Sequence, residues 1–345
     1  MRGLTRNSQT TILIEGGDLM NPRIFSILLV TLACFLVGGS LGAQDKYPEK
    51  PIQSLIPYNP GGSTDLYVRA LTESMSKYLG QPVIPVNKPG AGGSIAGAAL
   101  VNSKPDGYTI AHLNPSQTHP ELMVYFKPAP YTSKDLQFVA NWGYYQFGLV
   151  VRSDSPWVSL KEFVEYARNN PGKIRCGNSG TGGRFWITAM SFVKQTGINI
   201  KDIPFQGDVE TMTALLGNHI EMGIVTFWGG VLQQIEAKKI RPLCSFTEKR
   251  LEELPGVPTI KELGYQYREG LGVSYLGTFL PKGTPPNITA KISEAIRKTT
   301  EDTAFKAKMK KLGCPIWYLG TKDFEEYDAR DAKLIEALFK EMGYL

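Results

Sequence analysis

The chain has 345 residues, 42% hydrophobic and 20% charged, an ordinary balance for a globular protein and more chain than one core usually fills. Its net charge of +6 comes without any Lys/Arg block of five or more, which argues against a nucleic-acid partner. Three histidines without zinc spacing, and four cysteines outside any CxxC pattern, argue against a metal centre.

The first element is not part of the fold. Residues 24–37 are nearly all apolar, follow Arg23 and run into Gly38-Gly39-Ser40-Leu41-Gly42-Ala43. A basic start, an apolar core and a small-residue exit predict a secretory signal peptide. The core of about 14 residues is short of the roughly 20 that span a bilayer. Cleavage is expected after Ala43, and Met20-Asn21-Pro22-Arg23 reads as the natural start of such a leader. The exported chain retains Cys176, Cys244 and Cys314, an odd number that permits at most one internal disulfide.

From there, short apolar runs alternate with helical runs, the pattern of an α/β protein. Strands are predicted at 52–57, 83–86, 108–113, 138–142, 149–152, 174–176, 202–205, 222–227, 240–245 and 274–279. Ser159-Leu160-Lys161-Glu162 is a capping box that opens a helix, and Pro285-Pro286 opens a long one at 288–300. Two more helices are predicted near 303–312 and 323–342. Extended crossings at 149–152 and 273–280 each run into a rigid turn. They divide the chain into a discontinuous lobe 1 (44–149 plus 274–345) and an inserted lobe 2 (150–273), after a leader of 1–43. A cleft between two such lobes is a usual place for a small ligand.

Five turns carry the binding chemistry. Pro57-Tyr58-Asn59-Pro60-Gly61-Gly62-Ser63-Thr64-Asp65 links the first strand to a helix. Glycines admit close approach of a ligand to the backbone, and a helix start offers unpaired N–H groups to an anion. Gly90-Ala91-Gly92-Gly93-Ser94, Asn114-Pro115-Ser116-Gln117-Thr118, the run Gly177 to Arg184, and Pro204-Phe205-Gln206-Gly207-Asp208 have the same placement at strand ends. The candidate ligand contacts are Tyr58, Gly61, Gly62, Ser63, Asp65, Gly92, Gly93, Asn114 and Ser116 in lobe 1. In lobe 2 they are Ser179, Thr181, Gly182, Gly183, Arg184, Gln206, Gly207, Phe227 and Trp228.

These motifs occur in an order that resembles the substrate-binding proteins of tripartite tricarboxylate transporters, the Bug family. The resemblance runs through Tyr47-Pro48-Glu49-Lys50-Pro51-Ile52, the first two glycine turns, Pro105-Asp106-Gly107-Tyr108-Thr109, the run Gly177 to Gly183, Pro204-Phe205-Gln206-Gly207, and Leu254-Pro255-Gly256-Val257-Pro258-Thr259. It implies a two-lobed, type II-like periplasmic binding protein with two hinge crossings. It also implies capture of a di- or tricarboxylate or aromatic acid, acting as a monomer without cofactor and serving inner-membrane transporter subunits. In the family, turns like 60–65 and 90–93 grip one carboxylate through backbone N–H groups. Lobe 2 departs from the family pattern: no His follows the glycine turn, Gln206 stands where Lys is usual, and Phe227-Trp228 stands near a usual Asp. Two readings of these aromatics stay open: Phe227 or Trp228 stacks on an aromatic acid while Arg184 pairs a second acidic group, or the rings pack within the lobe.

The competing reading is an exported α/β enzyme that uses the same cleft. It finds little chemistry. Ser179 lacks the final glycine of a nucleophile elbow. Gly90 to Ile95 lacks the third glycine of a dinucleotide fingerprint. Among the histidines, His112 or His119 is the one placed to touch ligand, since the two flank the turn at 114–118.

Overall fold

The computed structural model describes residues 47–123, 129–266, 268 and 270–345. The predicted leader, with Met20 and the cut after Ala43, lies outside them. Among the described residues, ten strands form one curled sheet in the order β2-β1-β3-β9-β4-β7-β5-β6, and β8 and β10 also pair with β4. In chain order the strands are β1 Ile52–Ile56, β2 Val83–Asn87, β3 Thr109–Leu113, β4 Leu136–Arg152, β5 Ile174–Asn178, β6 Ile200–Pro204, β7 Met222–Thr226, β8 Ile240–Ser245, β9 Val273–Pro281 and β10 Ile316–Gly320. The helices are α1 Ser63–Leu79, α2 Ser94–Val101, α3 Pro115–Thr118, α4 Leu160–Asn169, α5 Arg184–Thr196, α6 Asp208–Leu216, α7 Gly229–Glu236, α8 Pro286–Glu301, α9 Thr303–Leu312 and α10 Thr321–Met342.

The sheet has two halves. In the first, β1 is parallel to β2 and β3, and β9 is antiparallel to β3 and β4. In the second, β5 is parallel to β6 and β7, while β7 and β8 run antiparallel to β4. The inner strand β7 is buried along its whole length, whereas the parallel edge strands β2 and β6 are only partly covered.

Two expected strands are one. The runs at 138–142 and 149–152 belong to the single 17-residue β4, which crosses from one half to the other. Gln146 pairs with Val273 on β9, and the next residue, Phe147, pairs with Thr226 on β7. Gly143 and Gly148 lie within the strand, where glycine usually weakens pairing. Here they make room instead: a Cβ on Gly148 would lie 2.0 Å from the Phe227 ring. β10 was absent from the expectation. It is a five-residue strand that pairs antiparallel with β4.

The core is divided as well. Leu55, Leu113, Tyr275, Phe279 and Phe324 pack the first half, and Met212, Leu215, Val225, Phe227 and Val231 pack the second. A third cluster joins Trp186 and Ile187 of α5 to Ile335, Leu338 and Phe339 of α10. The C-terminal helix therefore lies against the first half through Phe324 and against the second through its later turns. Cys176, Cys244 and Cys314 are buried and free, and burial pushes all three thiols well up.

Candidate functional site

The first glycine turn is braced from below. Gly61 N–H donates to Asp65 Oδ2 at 3.0 Å, Arg69 Nε donates to both oxygens of Asp65, and Asn87 Nδ2 donates to Asp65 Oδ1 and to the Tyr58 carbonyl. Burial would raise the Asp65 carboxyl, but Arg69, the Gly61 amide and Asn87 together hold it below the usual range. Asp65 and Gly61 thus shape the turn from within. Gly62 is the N-cap of α1 and has no side chain to cap it, so first-turn N–H groups stay open to an anion.

The second and third turns meet at Gln117, a fully buried residue in the turn at 114–118. Its Nε2 donates to the Gly92 carbonyl at 2.7 Å and to the Tyr58 hydroxyl at 3.1 Å, and its Oε1 accepts the Asn114 N–H at 2.9 Å. Asn114 caps α3 through Ser116 N–H and sends Nδ2 to the Tyr58 hydroxyl at 3.0 Å. With two hydrogen bonds accepted, that hydroxyl keeps its own proton for a further partner. The Asn114-x-x-Gln117 spacing of a capping box was the signal for Gln117.

Lobe 2 presents matching turns. Asn178 Oδ1 accepts the Gly180 N–H, while Asp202 accepts Asn178 Nδ2, Thr181 Oγ1 and Trp186 Nε1. The two sets of turns face each other closely. A Cβ on Gly180 would lie 3.4 Å from Gly92 Cα, one on Gly183 would lie 3.9 Å from Ser116 Oγ, and one on Gly207 would lie 3.9 Å from Tyr58 Cβ. Ser63 Oγ donates to Asp208 Oδ2 at 2.5 Å, and Asn59 Nδ2 donates to Glu210 Oε1. Between them lies a cavity of about 10 Å³, room for one water molecule. Tyr58, Asn59, Gly62, Ser63, Thr64, Ser179, Phe185, Gly207, Asp208, Val209 and Glu210 line it. A separate open groove of about 1320 Å³ runs between residues 247–253 and helices α9 and α10, and none of the five turns named above borders it.

Of the expected contacts, Tyr58, Gly62, Ser63, Ser179 and Gly207 line the cavity. Gly92, Gly93, Asn114, Ser116, Gly182 and Gly183 belong to the turns that frame it, and Thr181 is held by Asp202. Gln206 is exposed and outside the lining. Arg184 is only 2% exposed and donates through Nη2 to Asp331 of α10, so its charge is already matched within the protein. Phe227 lies in the second core with its ring against Gly148, and the ring of Trp228 lies against Gly230. Besides Tyr58, the aromatic that does line the cavity is Phe185, whose ring centroid is 4.3 Å from that of Phe147.

From sequence Asp208 reads only as a cap or turn former, because carboxylates are common at helix starts for electrostatic reasons. Asp208 is 5% exposed, and burial pushes its carboxyl up to about 6, against the pull of Ser63 and Ser179. None of the three histidines lines the cavity. His112 is buried between Ser54 and Thr278, and burial pushes it down to about 3.

His119 is different. Burial pulls it down, but Asp328 at 2.7 Å and Glu121 at 3.5 Å outweigh this and raise it to about 9. A group raised on folding stabilises fully below its unfolded pKa near 6.5 and ceases to do so as pH rises through about 9. The expected result is a loss on the order of 2–3 kcal/mol between pH 6.5 and 9.5, read by urea denaturation. His119→Gln should flatten that profile; an equally steep decline in the variant would disprove the assignment.

The fold is shared with known proteins. The family model described as "Tripartite tricarboxylate transporter family receptor" matches residues 67–344. The Cupriavidus necator "UPF0065 protein in gbd 5'region" is 35% identical over 307 residues, which cover 87% of this chain and 89% of that protein. The solved periplasmic binding protein BugD is similar at a TM-score of 0.78 and 29% identity, covering 86% of this chain and 99% of its own. The structure of R. palustris Rpa4515 with adipate shares the fold at a TM-score of 0.80 and 24% identity, covering 86% of this chain and 98% of its own. The architecture is that of a two-lobed binding protein.

Proposed function

Since the chain belongs to the tripartite tricarboxylate transporter receptor family, we propose that it captures a small organic carboxylate between its lobes and hands it, unaltered, to inner-membrane transporter subunits. The observation that carries this reading is the uncapped N-terminus of α1, presented at Gly62–Ser63 to a cavity walled on the far side by Ser179 and Gly207. Such a helix start holds a carboxylate without a cationic side chain. The adipate carried by the Rpa4515 structure supports an acid as ligand for the shared fold.

In this reading the chain acts in the periplasm after cleavage at Ala43. Lobe 1 comprises 44–149 plus 274–345, and lobe 2 comprises 150–273. The hinge lies where β4 changes partners at Gln146–Phe147, and the hydrogen bond from Phe147 N–H to the Gly272 carbonyl marks the second crossing. Opening there would part Ser63 from Asp208 and admit a ligand larger than one water.

The test is thermal unfolding with and without a panel of carboxylic acids, including adipate, malate and benzoate. A bound acid at one hundred times its Kd should stabilise the fold by about 2.7 kcal/mol and be recovered unchanged. If no acid shifts the transition, the reading fails. If a stabilising acid is converted, the exported-enzyme alternative replaces it.

A further inference from the structure

The cavity between the glycine turns and the large open groove lie on opposite faces of β4. Side chains alternate from face to face along a strand. The Tyr145 hydroxyl is 2.6 Å from that of Thr64, which lines the cavity, and Phe147 packs on Phe185, which lines it too. Tyr144 and Gln146 instead line the groove. These four residues surround the point where β4 changes partners, and Val273, the partner of Gln146, also lines the groove. A hinge between two openings on opposite faces makes their widths trade, since a rotation that widens one narrows the other. The structure holds one extreme of that trade, with a cavity of about 10 Å³ against a groove of about 1320 Å³.

The walls of the groove carry opposite charge. One wall is 247–253, which follows β8 and packs Leu251 into the second core. It bears Glu248, Glu252 and Glu253 against Lys249 and an Arg250 already paired with Glu262. The other wall includes α9, which Lys308 ties to Glu73 of α1 in the first half, and which presents Lys306 and Lys310 to the groove. Glu252, Glu253, Lys306 and Lys310 are exposed, and none of them forms an ion pair among the described residues. Their neighbours Arg250 and Lys308 have found partners, each on its own side of the groove.

We infer that the groove is a latch for the open cleft. As the cleft parts, 247–253 swings toward α9, Glu252 and Glu253 reach Lys306 and Lys310, and the pairs that form oppose ligand capture. Affinity is then set in part by residues that never touch the ligand, because the apparent Kd rises as the closed fraction falls. The inference rests on the hinge placed above at Gln146–Phe147 and is independent of which ligand the cleft takes.

The experiment is pulsed electron paramagnetic resonance on the full mature chain without ligand. Nitroxide labels go on Lys88→Cys and Lys201→Cys, exposed positions in the first and second halves, the three native thiols being buried. The parent protein should show a long and a short distance. Lys306→Glu with Lys310→Glu should lower the ratio of long to short about 3-fold or more, the scale of exposed ion pairs turned to repulsion. In the parent, 1 M NaCl should shift the ratio the same way by screening the pairs. Adding Glu252→Lys with Glu253→Lys restores opposite charges and should return the parent distribution, which loss of some other role of the two lysines would not do. Native unfolding transitions confirm that each variant is folded. The two-lysine variant should also bind any of adipate, malate or benzoate that the parent binds more tightly, by up to the same factor. A single distance in the parent, a distribution that the two-lysine variant leaves unchanged, or no return in the fourfold variant overturns the inference. If the distances respond as expected and no acid binds, the carboxylate reading falls while the latch stands. If an acid binds and the distances do not respond, the reverse holds.

Discussion

Replacing Arg184 with Met is expected to destabilise the folded chain by about 3–5 kcal/mol, the usual result of removing one member of a buried ion pair. Arg184 and Asp331 have side chains only 2% and 3% exposed. Burial pushes the Asp331 carboxyl up more than the neighbouring guanidinium pulls it down, so without Arg184 the acid would be left buried without a countercharge. Arg184 also begins α5, and Asp331 lies on α10, which holds His119 through Asp328 three residues earlier. The pair therefore ties the second half of the sheet to a helix that also anchors the first. Urea denaturation of the variant measures the cost. The double replacement Arg184→Met with Asp331→Leu should recover much of the loss, since an apolar pair needs no countercharge. A single variant within 1 kcal/mol of the parent protein would show that the pair contributes little.

The second large effect is expected at Gly93. Its φ of +94° lies in the left-handed region, and a Cβ there would meet the Gln117 amide at 2.8 and 2.9 Å and Pro57 Cβ at 2.9 Å. Gln117 cannot give way cheaply, because it holds the Gly92 carbonyl, the Tyr58 hydroxyl and the Asn114 amide together. Gly93→Ala should thus cost about 2–4 kcal/mol of stability, the sum of backbone strain and overpacking. By displacing Tyr58 and the second turn it should also weaken binding of any stabilising acid by about 10-fold or more, a loss of 1.4 kcal/mol or greater. Gly61→Ala is the control. It shares the positive φ, at +86°, but has open space around the added methyl. Strain alone should then cost about 1–2 kcal/mol. If the Ala variants at 61 and 93 prove equally stable, the Gln117 brace does not have the rigidity assigned to it.

These two residues mark the difference between what was legible in the sequence and what was not. Gly93 was read correctly as part of a turn at a strand end, because the φ of a tight turn depends on its own few residues. Arg184 was read as a ligand contact, because its place after a glycine turn is local while its partner lies 147 residues further along the chain. Phe227 and Trp228 follow the same rule. Their positions at the end of β7 were evident, but the direction of each ring is set by the gaps that Gly148 and Gly230 leave. Asp208 was visible as a turn carboxylate, yet nothing near it in sequence shows that Ser63, 145 positions earlier, would face it.

By itself the sequence determined the alternation of strands and helices, the glycine turns at the strand ends and hence the open helix start at Gly62–Ser63. All of these follow from backbone preferences within short windows. Only the tertiary structure decided that β4 is one continuous strand, that Arg184 is already paired, that Phe185 joins Tyr58 in the cleft, and that the far wall is acidic. Each of those depends on which distant side chains meet, and that is set by close packing of the whole chain.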